Sequence, residues 1–173
     1  TPETIAIMKV RYGAACAGAF QSADLGAHHK IGDVTVRFVP AGHILGSAQI
    51  VIERGDCRAV ISGDYKRASD PTCRPFELVT CDVFVTEATF ALPVFRHERG
   101  EDEARRLVQS IARNPERTHL LGVYGLGKCQ RMIALVRQQG YHDPIWLHGA
   151  LVGLTALFQE LGIDLGDCRP AST

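Results

Sequence analysis

The rhythm of hydrophobic and polar positions changes several times along the chain. At the amino end, Ile5, Met8 and Tyr12 recur on one helical face, behind a Thr1-Pro2-Glu3 start. That start combines a hydroxyl cap, proline in the first turn and an acid at the positive end of the dipole, and Gly13 supplies a stop. Residues 14–30 are small and polar and predict a loop. Residues 33–38 alternate, Val34, Val36 and Phe38 against Asp33, Thr35 and Arg37, and predict a half-buried strand ended by Val39-Pro40. Residues 48–54 and 57–62 predict two more strands joined at Gly55-Asp56, a hairpin signal. A turn-rich excursion, 62–81, contains Asp70-Pro71 and Arg74-Pro75. Residues 82–86 return as a short apolar strand, whose nearly continuous hydrophobicity predicts burial on both faces.

The pattern shifts near Pro93. Residues 101–113 place Ala104, Leu107, Val108 and Ile111 on one face of an amphipathic helix. Residues 118–124 predict a strand, 128–139 a helix ending at Gly140, 144–147 a strand, and 150–161 a helix ending at Gly162. Strands alternating with helices predict a parallel βα layer. The chain therefore divides into a β-leaning part, 1–92, and an α/β part, 93–173, with α/β as its class.

Composition narrows the functional classes. With 173 residues, 46% of them hydrophobic, the chain can bury a sizeable core. Its 19 basic and 19 acidic residues balance, so no global field draws it to nucleic acid or a membrane, and any basic surface is local. None of the six cysteines stands in C-x-x-C spacing, which predicts packing thiols in a reducing compartment. Neither an apolar run of roughly 20 residues nor a signal-peptide pattern occurs, and the expectation is a cytoplasmic protein without a membrane partner.

Candidate chemistry lies at strand ends. His43 stands between Gly42 and Gly46, which let the backbone turn tightly; Asp64 follows Ser62-Gly63; Glu87 follows the apolar run 83–86. Histidine and aspartate on adjacent strand ends can hold zinc or bridge two metals, although a catalytic zinc takes three protein ligands as a rule. By themselves these residues also fit a structural histidine, an Asx turn and a solvated acid. The run Gly122-Val123-Tyr124-Gly125-Leu126-Gly127-Lys128-Cys129 nearly spells a phosphate-cradling loop, with cysteine where a magnesium-binding hydroxyl belongs. Lys128 at a helix start is a candidate for nucleic-acid backbone. Lys66-Arg67 and Arg96-His97 are local basic pairs, and His148 either faces a cleft or caps a helix.

Taken in order, Ala41-Gly42-His43-Ile44-Leu45-Gly46-Ser47-Ala48, Ser62-Gly63-Asp64 and Thr86-Glu87-Ala88-Thr89-Phe90 resemble three motifs of the metallo-β-lactamase-fold nucleases of the β-CASP group. The wording around them, Gly63-Asp64-Tyr65-Lys66-Arg67 and Leu92-Pro93-Val94-Phe95-Arg96-His97 included, is most similar to the bacterial ligase-associated DNA exonucleases. Tyr124 with residues 126–130, and His148-Gly149-Ala150-Leu151, look like that family's inserted domain, which accounts for the likeness to a phosphate loop. The resemblance implies a partial metallo-β-lactamase (αββα) fold in 1–92 followed by part of a β-CASP domain in 93–173. It implies two divalent metal ions, zinc by preference, with His43 on one and Asp64 bridging both. Such metals would lower the pKa of a bridging water and offset charge on the leaving oxygen. Glu87 would then orient a catalytic histidine or help move a proton. DNA is the implied substrate and an ATP-dependent DNA ligase the implied partner; an RNA-processing nuclease of the same group and a non-catalytic nucleic-acid-binding module are the alternatives. The family's H-x-H-x-D-H motif would precede Thr1 and its later histidine motifs would follow Thr173. The ligand set here is thus incomplete, and the expectation is an inactive, weakly metal-binding middle piece with an exposed apolar sheet edge.

Overall fold

A computed structural model describes residues 1–171. The chain divides into two compact units, one spanning Thr1–Thr89 and the other beginning at Phe90.

The first unit opens with helix α1, Pro2–Tyr12, whose Thr1 cap accepts from the Thr4 N–H at 3.2 Å. A five-stranded sheet follows: β1 His29–Ile31, β2 Val34–Pro40, β3 Ala48–Arg54, β4 Cys57–Ile61 and β5 Val83–Val85, ordered as numbered. The first four strands are antiparallel neighbours, whereas β5 runs parallel to β4 with Ile61 opposite Val85. Val51 and Val60 pair directly across β3 and β4, and with Val39 they form a buried core that Val79 and Cys81 flank. These are β-branched residues, one from each of three neighbouring strands, and they share their face with the polar side chains of Gln49 and Arg37.

Two expectations fail in this unit. The 14–30 loop ends in a strand, because Gly32 at φ 61° makes a two-residue turn that folds β1 back on β2. Gly32-Asp33 is the same signal that marks the 55–56 hairpin. Nor is β5 buried on both faces: Val83, Phe84 and Val85 are each about half exposed. The strand is the last in the sheet, so hydrophobicity here marks an edge.

The second unit contains α2 Gly100–Arg113, α3 Lys128–Gln138, β6 Ile145–Leu147, α4 Gly149–Glu160 and β7 Cys168–Pro170. Ala104 of α2 meets Leu135 and Val136 of α3, with Leu107, Val108, Tyr141 and Ile145 packed around them. The predicted apolar face of α2 is the buried one. Strands β6 and β7 form a two-stranded parallel sheet. Arg137 fastens the turn that leads into β7, donating to the carbonyls of Tyr141, Asp143, Leu165 and Asp167 at 2.7–3.0 Å.

Residues 118–124 join neither sheet, contrary to the strand expected there, and Leu120 is almost fully exposed. A β-run needs a neighbour for its backbone groups, and among the described residues this segment has none. The expected parallel layer is accordingly reduced to one strand pair. Cys129 is buried as expected of a packing thiol, but Cys57 is exposed rather than packed. No helix among the described residues is long and apolar enough to cross a membrane.

Candidate metal centre and nucleic-acid interface

The His43 loop connects β2 to β3 and is locked from both sides. Inside it, the Ser47 hydroxyl accepts the backbone N–H groups of His43 and Ile44, each at 3.1 Å, while the Ser47 N–H returns to Ile44 O at 3.0 Å. Outside it, the hydroxyls of Thr1 and Thr4 donate to Gly46 O at 2.9 and 3.0 Å. Gly46 has φ 77°, and a Cβ there would stand 2.8 Å from both Thr1 Oγ1 and Glu3 Cβ. Gly42, at φ 69°, lies against the backbone of Lys66 and Phe76 in the same way. The two glycines are thus demanded by close approach of chain to chain as well as by backbone conformation.

Asp64 leaves the end of β4 just beyond Ser62, whose N–H donates to Val85 O at 2.9 Å and so extends the parallel ladder. The Ser62 hydroxyl donates to Gly63 O at 2.8 Å and lies 3.4 Å from the Thr86 hydroxyl. Below this edge, buried Gln49 donates to the carbonyls of Pro40 and Glu77, and Lys66 pairs with buried Asp70. The second carboxylate oxygen of Asp70 accepts from the N–H and hydroxyl of Thr72. The long connection from β4 to β5 is therefore pinned by polar groups rather than by elements of its own.

The result is that two predicted ligands meet. His43 Nε2 stands 3.7 Å from Asp64 Oδ2, and both side chains remain open to solvent, 42% and 76% exposed. Glu87 follows β5, the strand that runs beside β4. Its carboxylate accepts from the Thr89 N–H at 2.8 Å. That bond chiefly, then the Thr89 hydroxyl, holds the Glu87 carboxyl below the ordinary glutamate range, with slight desolvation opposing and His43 adding the smallest effect. An ionised glutamate beside a histidine is suited to orienting an imidazole or accepting a proton.

A metal centre is not complete, however. Among the described residues no three His, Cys, Asp or Glu side chains come together in a way that could hold an ion. Two ligands with open positions fit part of a catalytic metal site and not the whole of one. Ser47 and Thr89, which set His43 and Glu87 in place, escaped the sequence reading; their only signal was a hydroxyl within a few residues of each candidate.

Lys128 lies in the second unit, at the first position of α3. The loop before it resembles an anion cradle in sequence, yet the three N–H groups at the helix start are already used. Gly127 N–H donates to the Gln130 side chain at 2.9 Å, Lys128 N–H to Leu126 O at 3.0 Å, and Cys129 N–H to Tyr124 O at 3.1 Å. Burial pushes the Cys129 thiol up, so the residue in the magnesium position is a neutral interior group. A nucleotide-cradling loop requires those N–H groups to point outward, and here they do not. The Lys128 ammonium remains exposed, above the Tyr124 ring. His148 is a cap, its Nδ1 accepting from Ala150 N–H at 3.2 Å.

The fold is α/β, a partial metallo-β-lactamase fold followed by part of a β-CASP domain. The curated relatives that the chain matches are nucleases of the β-CASP group of that fold, the group its motifs resemble. One is the endoribonuclease ysh1 of Aspergillus fumigatus, 30% identical over 129 residues, covering 72% of this chain and 15% of the relative. Another is cleavage and polyadenylation specificity factor 73 of Drosophila melanogaster, 32% identical over 124 residues, covering 67% and 18%. An RNase J-like protein of Methanocaldococcus jannaschii is 26% identical over 137 residues, covering 74% and 32%. The chain thus spans about a sixth of the first two relatives. A crystal structure of a protein of unknown function from Enterococcus faecalis shares the fold, with a TM-score of 0.57 at 13% identity over 90% of this chain and 38% of that one. No family model matches.

Proposed function

We propose that this chain is part of a metal-dependent phosphodiesterase that acts on RNA. The observation that carries the reading is the approach of His43 to Asp64 at the edge of a rigid sheet, with Glu87 just beyond the neighbouring strand end and its carboxyl held below the ordinary glutamate range. Sequence likeness to an endoribonuclease and to an RNase J-like protein favours RNA over the DNA that the motif wording implied. His43 and Asp64 supply two ligands to a divalent-metal centre, zinc by preference, whose other ligands come from outside the described residues. Glu87 positions a histidine or accepts a proton, and Lys128 receives the nucleic-acid backbone. Residues 1–92 constitute the partial metallo-β-lactamase domain and the rest the beginning of the β-CASP domain. DNA exonuclease activity beside an ATP-dependent DNA ligase is the second reading, supported by the run Leu92-Pro93-Val94-Phe95-Arg96-His97.

The test is cleavage of matched single-stranded RNA and DNA, with and without chelator, by the protein carrying its flanking coding sequence. RNA cleavage that the chelator and Asp64→Ala each abolish supports the proposal. Cleavage of DNA alone favours the second reading, and metal-independent binding without cleavage favours a non-catalytic module. The 173 residues alone are expected to bind zinc weakly and to cleave neither substrate.

A further inference from the structure

The loop before α3 has an unusual construction for one that offers no anion cradle. Its four residues, Tyr124 to Gly127, are held by a side chain with no exposed surface of its own. Gln130 accepts from Gly127 N–H at 2.9 Å and donates to Gly125 O at 3.1 Å and to the Thr155 hydroxyl of α4 at 3.2 Å. Tyr124 O is tied in addition by the Cys129 N–H, and the Gly125 position lies against Leu151 of α4, which a Cβ would approach to 3.2 Å. The backbone is therefore immobilised on two helices. What it presents is the Tyr124 ring, 76% exposed, with the Lys128 ammonium 5.1 Å from the ring centre.

A large aromatic residue left this exposed gains nothing from the core, while a rigid mount removes the ordering cost of binding through it. An exposed aromatic ring with an ammonium over one of its faces offers the two features that a single nucleic-acid strand repeats, a base to stack and a phosphate to pair. We infer that Tyr124 and Lys128 form a docking point for one nucleotide of single-stranded nucleic acid, Tyr124 stacking on its base and Lys128 pairing with its phosphate. Gln130 is the positioning residue of that point. The assignment rests on the nucleic-acid reading of the chain and adds to it the residue that engages the base. Nothing in the loop reads base edges, so recognition there is tolerant of sequence; RNA and DNA strands both satisfy it.

The test measures binding of fluorescent single-stranded RNA, single-stranded DNA and base-free polyphosphate to the full chain. Tyr124→Ala should weaken binding of both oligonucleotides by about tenfold and leave polyphosphate unchanged, whereas Tyr124→Phe should retain wild-type affinity. Lys128→Ala should weaken all three and flatten the dependence of affinity on salt by about one phosphate's worth. Because Tyr124 is exposed, its loss should leave the unfolding midpoint unchanged, which circular dichroism checks. Oligonucleotide binding unaltered by Tyr124→Ala overturns the docking point while leaving the nucleic-acid reading in place. An equal loss toward polyphosphate also overturns it, since stacking would not be involved. Failure of the wild-type chain to bind any oligonucleotide overturns both.

Discussion

The buried carboxamide of Gln130 donates to the hydroxyl of Thr155 at 3.2 Å, tying the first turn of α3 to the middle of α4. The same side chain completes the backbone of the loop in front of it. Gln130→Leu keeps the volume but leaves the Gly127 N–H, the Gly125 carbonyl and the Thr155 hydroxyl without that partner. Each buried group so abandoned costs about 1–3 kcal/mol. Urea unfolding should therefore show a clear loss for Gln130→Leu and a smaller one for Thr155→Val, which removes the bonds to Gln130 and the Cys129 thiol but leaves the loop backbone tied.

Gly46 and Gly55 offer a matched comparison. Both have positive φ, at 77° and 56°, but a Cβ at Gly55 meets nothing within 4 Å whereas one at Gly46 meets α1. Gly55→Ala should cost only the left-handed conformation, about 1–2 kcal/mol. Gly46→Ala should cost more and also free the amino-terminal helix. Faster hydrogen exchange throughout Pro2–Tyr12 in Gly46→Ala alone would be the signature.

Acid should loosen the second unit through Asp167. Hydrogen bonds from Arg169, at 2.6 and 3.1 Å, lower the Asp167 pKa below the ordinary aspartate value, slight desolvation opposes, and the charges of Arg169 and then Arg137 add to the lowering. A lowered folded-state pKa means that the unfolded chain takes up the proton first. The stabilisation is thus complete above the unfolded-state pKa and disappears as pH falls through the folded one. Carboxyl NMR should place the Asp167 midpoint below that of a free aspartate, and Arg169→Gln should move it upward.

The half-exposed β5 edge predicts self-association. Val83, Phe84 and Val85 carry apolar side chains and open backbone groups on the outermost strand, a template for another chain. Light scattering of the isolated chain should show association that rises with concentration, and Val85→Lys should reduce it.

Most of the architecture was legible because local patterns and tertiary packing agree. The α2 stripe through Ala104 and the 55–56 hairpin are examples: the period names the buried face and the glycine names the turn. Where reading failed, the missing information was a neighbour. Residues 118–124 have the composition of a strand and no ladder to enter; residues 29–31 have little strand character and acquire it by pairing with β2. The site divides similarly. His43, Asp64 and Glu87 stand out as ligand or acid types at strand ends, but their mutual distances depend on β4 and β5 running side by side. The Lys128 loop misleads for the opposite reason, since its glycine spacing is the same whether the N–H groups face outward or are taken by Gln130.

The parallel pairing of β4 and β5 has one more consequence, for the tolerance of the chain to insertion. Asp64 and Glu87 leave the sheet at one end because the strands that carry them run the same way, and the connection between them need only return to its starting edge. Extra residues at exposed Ala68 and Ser69 would lengthen that return and slacken the Lys66–Asp70 pair while leaving both strand ends in register. A single residue added within Val83–Val85 would instead rotate everything after it by half a pleat and turn Glu87 to the opposite face. The same length of added sequence loosens one tie in the first place and overturns the strand end in the other, some fifteen positions along.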